Sequence, residues 1–312
     1  MKIFYDHKIF YKQVRGGPSR LFLSLAKNLL QYDCNIKIYA PFHFNEYLNQ
    51  FSKHHSDIVE GKYIKNRIKY SSKIIGLINS FLSKNKIKKE TPDIYHSTYY
   101  GNSLTNLKKI PLVITVHDLI HELLLKNKGI KGLDDKSKII HKADQIITVS
   151  QNTKNDLIHY YKINEKKISV INPGVENIFL NKNYSNYDFL NLKPYILYVG
   201  SRHGYKNAKN LLISFAKSSK LRNNIKIVFF GGENFNNGEK KFISTLNLSE
   251  KNCIQLSGDD NTLKLLYKNA EVFVYPSLYE GFGSSPLEAM NYGCPVVSSN
   301  TSCLPEIQGN AS

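Results

Sequence analysis

Short apolar runs that alternate with helix-periodic segments set the strongest limit on how this chain can fold. Residues 2–5, 35–40, 112–116, 145–149, 167–171, 195–199, 225–230, 253–257, 271–275 and 295–298 read as buried strands. Between them lie segments with helical spacing, such as 19–30 with Leu21, Leu25, Leu29 and Leu30. Strands buried on both faces and separated by helices require a parallel sheet covered on each side. At 312 residues the chain is long for one core and suits two such domains. The expected division is 1–175 and 192–312, with the Asn- and Tyr-rich stretch 176–191 as linker.

The most informative stretch is 271–290. Its strand stops at Pro276, and Gly281 and Gly283 leave a loop whose backbone can approach a ligand closely. Ser285 reads as the N-cap and Pro286 as the first residue of the next helix. A strand end, a glycine loop and a helix N-terminus together form an anion site, because orphan amides and helix dipole point the same way. Two carboxylates frame the loop, Glu280 before it and Glu288 one turn into the helix. Each has an ordinary alternative. Ser285-Pro-Leu-Glu288 fits a capping box, and Glu280 alone fits a solvated loop charge. The whole segment Glu280-Gly-Phe-Gly-Ser-Ser-Pro-Leu-Glu288 resembles the Glu-x7-Glu signature of retaining glycosyltransferases of family four, which have the GT-B fold.

Other segments add candidates of the same kind. In Gly200-Ser-Arg-His-Gly-Tyr-Lys-Asn207, Arg202 and Lys206 lie between a strand end and a helix start, where a fork of donors and a point charge suit a diphosphate. His117 follows the strand 112–116, at the edge where parallel sheets bind ligands, although a lone histidine is also a common hydrogen-bonded structural residue. Gly16 and Gly17 lie after the first strand but do not spell Gly-x-Gly-x-x-Gly, so they fit a tight turn as well as a ligand loop. Asp259-Asp260 reads as a helix start rather than a metal site, and there is no Asp-x-Asp triplet.

The resemblance implies an α/β GT-B architecture of two doubly wound Rossmann-like domains facing a cleft, the second incomplete at Ser312. It implies transfer of a sugar from a nucleotide diphosphate sugar, GDP- or UDP-linked, to a saccharide or lipid-linked acceptor in surface polysaccharide synthesis. Neither a metal nor a further cofactor is expected. Arg202, Lys206 and the amides near Ser284 and Ser285 would stabilise the departing diphosphate. Glu280, Gly281, Phe282 and Gly283 would hold the donor sugar, and Glu288 the ribose. Gly258 and Leu263 would frame the base, Gly17 would lie by the donor phosphates, and His117 would contact the sugar from the opposite domain. A donor-binding relative without turnover would keep the same residues.

The formal charge of +18 favours polyanions without choosing among them. Nucleic acid is not the expected partner, because the basic residues form no recognised module and the aromatic residues no stacking pattern. The segment 62–89 carries Ile64, Ile68, Ile75, Ile78 and Leu82 at helical spacing amid many lysines. That pattern fits a packed helix with its stripe in the core, or a helix lying on an anionic bilayer. Four cysteines without metal or disulfide spacing read as buried thiols, and the start carries charges inside a strand rather than a signal peptide, so a cytoplasmic location is expected.

Overall fold

The computed structural model describes residues 1–65, 71–101, 110–124, 133–175 and 192–312. The chain divides into two compact units, Met1–Pro173 and Gly174–Ser312. The expected linker, 176–191, lies outside the described residues.

The first unit runs β1 (Lys2–Tyr5), α1 (Lys8–Lys12), α2 (Gly17–Leu29), β2 (Asn35–His43), α3 (Glu46–Ser52), β3 (Val59–Tyr63) and α4 (Ser71–Glu90). It continues through β4 (Ile94–Ser97), β5 (Leu112–Val116), α5 (Ile120–Leu123), α6 (Leu133–Lys142), β6 (Gln145–Thr148), α7 (Gln151–Tyr161) and β7 (Ile168–Val170). The strands form one parallel sheet in the order β3-β2-β1-β4-β5-β6-β7. Successive strand residues point to opposite faces, so Ile3 and Tyr5 pack with Phe22 and Ile38 on one side while Phe4 packs with Ile114 and Ile140 on the other. Both faces are therefore buried, as the continuous apolar runs require. Ser150 caps α7 by accepting from the Thr153 amide.

The second unit runs β8 (Tyr195–Val199), α8 (Ala208–Lys217), α9 (Ser219–Asn224), β9 (Lys226–Phe230), α10 (Asn237–Thr245), β10 (Cys253–Leu256) and α11 (Asp260–Asn269). It closes with β11 (Val272–Tyr275), α12 (Ser284–Asn291), β12 (Val296–Ser298) and α13 (Leu304–Gln308). Its parallel sheet has the order β10-β9-β8-β11-β12. Tyr195 and Leu197 face one core and Ile196 and Tyr198 the other. The helix expected after Lys206 breaks at Ser218, whose hydroxyl accepts from Leu221 and starts α9. Asp259 caps α11 by accepting from the Thr262 amide, so the acidic pair is a helix start.

The segment 62–89 departs from its periodicity. β3 reaches Tyr63 and α4 begins only at Ser71, so Ile64 is not on the helix, and Ile68 lies outside the described residues. Ile78 faces solvent and Ile75 and Leu82 are half-buried, while Asn79, Ser83 and Ile87 are buried. The cause lies in β2, whose register shifts between Ala40 and Phe42. Asn79 serves this irregular backbone: the Phe42 amide donates to its Oδ1 at 2.9 Å, and its Nδ2 donates to the Phe42 carbonyl at 2.8 Å. Buried backbone groups must be satisfied, so the helix turns a polar side chain inward.

At the end of β1 a buried ion pair joins the two central strands. Lys8 Nζ lies 3.3 Å from Asp6 Oδ2 and donates to Ser97 Oγ at 2.9 Å. Asp6 also accepts from the Tyr95 hydroxyl and, at 2.6 Å, from Thr98 Oγ1. Burial alone would raise the Asp6 carboxyl, but Lys8, His7 and these hydrogen bonds outweigh it and hold it far below the usual range. Replacing Asp6 by Ala leaves Lys8 buried without its counter-charge. The expected cost is about 3–5 kcal/mol, read from denaturant unfolding of Asp6→Ala against wild type.

Candidate active site

In each sheet the order reverses direction between two neighbouring strands, β1 and β4 in the first unit and β8 and β11 in the second. Crevices open at such points, beyond the carboxyl ends of the strands. In the second unit the loops after β8 and β11 meet there. Asn207 Nδ2 donates to the Pro276 carbonyl at 3.0 Å, and the Leu278 amide donates to the Tyr205 carbonyl at 2.8 Å.

These ties bring two candidate residues together. Lys206 Nζ donates to Glu280 Oε1 at 2.7 Å and to the Tyr275 hydroxyl at 3.0 Å. Glu280 is nearly buried and Lys206 only partly so. The Glu280 backbone is held from the next loop, its amide donating to Ser302 Oγ at 2.9 Å and its carbonyl accepting from Cys303 Sγ at 3.1 Å. Burial, and then the Glu280 carboxylate, push the Tyr275 phenol well above its ordinary value, so it stays a donor. Neither Tyr275 nor Ser302 is among the sequence candidates. One ends an apolar strand and the other sits in a loop, and neither position carries a motif.

The glycine loop enters α12 differently from the expected cap. Gly283, with φ 75°, is the N-cap, α12 begins at Ser284, and Pro286 stands third rather than first. Ser285 is thus inside the helix, and the Ser285–Glu288 capping box does not form, because glycine supplies the left-handed turn. The first turn presents the Ser284 and Ser285 amides, Ser284 exposed and Ser285 half-buried. Gly281 is buried, Phe282 is half-buried, and Glu288 lies half-buried one turn on.

Arg202 leaves the same loop as Lys206 but is engaged elsewhere. Its Nε donates to Glu239 Oε1 at 2.7 Å, and its Nη2 to the Glu233 carbonyl at 2.7 Å. Its Nη1 reaches the Gly231 carbonyl at 3.3 Å, and the guanidinium lies over Phe235. Burial alone would raise the Glu239 carboxyl, but the Arg202 hydrogen bond outweighs it and holds it below its usual value. Arg202 therefore ties the β8 and β9 loops together. Gly258 precedes α11, where an added Cβ would meet Thr262 Oγ1 at 2.8 Å, and Leu263 packs partly against the core.

In the first unit Gly17 opens α2 with Gly16 before it. His117 follows β5 and lies edge-on to Phe22. Its amide donates to the Tyr100 hydroxyl, and its Nε2 is buried with no hydrogen-bond partner among the described residues. Asp118 does not grip the imidazole; its Oδ1 accepts from Ile120 and its carbonyl from the buried Lys136. His117 belongs to a row along one sheet edge with His43, His7 and His96. Burial pushes each down to about 4, so all four are neutral at neutral pH.

Two Rossmann-like units in succession, each a parallel sheet with a switch point, form the GT-B fold of glycosyltransferases. Residues 15–177 match the family model for glycosyltransferase family 4, and residues 186–312 that for glycosyl transferases group 1. The chain belongs to glycosyltransferase family 4. It is 31% identical over 227 residues to an uncharacterized glycosyltransferase of Methanocaldococcus jannaschii, covering 67% of this chain and 56% of that protein. It is 31% identical over 176 residues to the O-antigen chain mannosyltransferase RfbU of Salmonella typhimurium, covering 55% and 46%. The chain thus spans about half the length of these curated relatives. Among solved structures, Anabaena HepE in complex with UDP and glucose superposes with a TM-score of 0.69 at 18% identity, over 98% of this chain and 82% of that one. The apo lipopolysaccharide outer core galactosyltransferase WaaB gives 0.65 at 18% identity, with the same coverage. These likenesses establish the fold.

Two outcomes follow from this geometry. A Cβ at Gly283 would lie 2.8 Å from Leu304 Cδ2, on a backbone at φ 75°. Gly283→Ala should therefore destabilise the protein by about 1–3 kcal/mol, visible as a lower melting temperature. Stability should also fall as pH drops from about 6.5 towards 4. Unfolded imidazoles take up protons through that window while the buried ones stay neutral, so protons favour the unfolded chain. Melting curves across the window read the slope, and His96→Gln should flatten it.

Proposed function

We propose that this chain transfers a sugar, with retention, from a GDP- or UDP-linked donor to a saccharide or lipid-linked acceptor in surface polysaccharide synthesis. The observation that carries this reading is the Lys206–Glu280 pair beside the α12 N-terminus at the β8/β11 switch point. Glycosyl transfer from a nucleotide sugar breaks the bond between the sugar carbon and the diphosphate, and negative charge gathers on the departing oxygen. Preorganised donors at that oxygen lower the barrier more than any other single device. The Ser284 and Ser285 amides and the Lys206 ammonium are such donors, and we assign them to the diphosphate. Arg202 holds its loop, and through it the position of Lys206.

Glu280 is fixed through both its backbone and its carboxylate. We assign it to the hydroxyls of the transferred sugar, with the Gly281-Phe-Gly283 backbone. Glu288, one turn into α12, is assigned to the ribose. In the first unit His117 offers a neutral ring nitrogen without a hydrogen-bond partner among the described residues, suited to one hydrogen bond with a substrate hydroxyl. The mannosyl transfer named for RfbU supports a hexose donor. A lipid-linked acceptor would be met at the inner face of the membrane, with the protein bound peripherally.

A thermal-shift series with UDP, GDP, UDP-glucose and GDP-mannose tests this. One nucleotide should raise the apparent stability by about 2.7 kcal/mol at a hundred times its Kd. Lys206→Ala and Glu288→Gln should each reduce that shift without abolishing folding. A folded wild-type sample that no donor shifts would contradict the reading, and shift without release of nucleoside diphosphate would reduce it to donor binding.

A further inference from the structure

Two loops grip the segment that carries Glu280, one from each side. From the β8 side, Asn207 Nδ2 donates to the Pro276 carbonyl at 3.0 Å. From the β12 side, contacts follow one another along the chain. The Ser299 amide donates to the Tyr275 carbonyl at 3.1 Å, and Thr301 Oγ1 to the Ser277 carbonyl at 3.3 Å. Ser302 Oγ then accepts from the Glu280 amide, and Cys303 Sγ donates to the Glu280 carbonyl.

Ser302 makes its contact from a strained backbone. Its φ is 51°, in the left-handed region where a Cβ crowds the neighbouring carbonyl. Asn207, on the opposite side of the segment, has φ 61°. Asparagine tolerates that region and glycine enters it freely, whereas serine has neither advantage. A glycine at position 302 would turn the chain equally well, but it would leave the Glu280 amide without this acceptor. The hydroxyl is therefore what the strained position retains, and strain of this kind persists where the surroundings enforce it.

The position of Glu280 has to be set from outside its own segment. Gly281 and Gly283 separate it from α12 and leave the connection torsionally free, so the helix start does not fix the carboxylate. We propose that Ser302 is a positioning residue: through the Glu280 amide it sets the Glu280 carboxylate where that group meets the hydroxyls of the transferred sugar. This rests on the assignment of Glu280 to the donor sugar made above. The α12 amides assigned to the diphosphate keep their own cap at Gly283. Sugar and diphosphate should therefore respond differently when the Ser302 hydroxyl is lost.

Titration of wild type, Ser302→Gly and Ser302→Ala with UDP and UDP-glucose, and with GDP and GDP-mannose, tests the role. Both variants lose the hydroxyl, but only glycine relieves the left-handed turn, so Ser302→Gly should melt higher than Ser302→Ala. Each should hold the nucleoside diphosphate within about twofold of wild type, while affinity for the nucleotide sugar falls by about fivefold to tenfold. In a Glu280→Ala background Ser302→Gly should add little further loss, because both act on one group. A loss shared by nucleotide and nucleotide sugar, following the melting temperatures of the two variants, would make Ser302 framework only and overturn the proposal. Unchanged affinities, or a full additional loss in the Glu280→Ala background, would also overturn it while leaving the donor site standing. A wild-type protein that binds none of the four ligands would overturn the donor reading and this role together.

Discussion

Parallel pairing is the constraint from which the rest of this molecule follows. Strands running one way must all end on the same edge, so every strand-to-helix loop and every following helix N-terminus gathers there. Where strand order reverses, adjacent loops part in opposite directions and something must hold the opening. Both units use a lysine and a carboxylate. In the first, Lys8 and Asp6 are buried and surrounded by Tyr95, Ser97 and Thr98. In the second, Lys206 and Glu280 sit nearer solvent, with Tyr275 as their shared neighbour. The same device is sealed inside the framework in one place and lies nearer solvent in the other. Depth of burial makes the difference.

The two edges also differ electrically. Along the first sheet four imidazoles are kept neutral by burial, so that edge offers polarity without charge. Along the second, the first-turn amides of α12 favour negative charge, while the ammonium of Lys206 is shared with the Glu280 carboxylate. Arg202, although formally cationic, is already satisfied by Glu239 and two carbonyls and contributes stiffness more than field.

Much of this was legible in the sequence, for identifiable reasons. Apolar runs without alternation reveal strands buried on both faces, and glycine-rich turns after them mark the ligand edge. The run from Glu280 to Glu288 holds loop and helix start directly after a strand end, so its local geometry follows from one segment without tertiary knowledge. The helix starts two positions earlier than expected, because Gly283 caps by backbone conformation and not by a side chain. Contacts distant in sequence left no trace. Nothing near Arg202 announces Glu239, and nothing near Glu280 announces Ser302. The stripe in 62–89 shows a deeper limit: periodicity reports that one side of a helix is apolar but not which way that side faces. There the decision belonged to a shift of register in β2, far from the helix in sequence.

That shift has a consequence for how the surface can change. Since α4 is fastened by directional bonds from Asn79 and Ser83, its outer residues carry little responsibility for folding. They are free to drift under other pressures. Substitutions along Ile74, Leu77, Ile78 and Phe81 then change the character of this face while the fold beneath stays the same, a separation of surface from scaffold within a single helix.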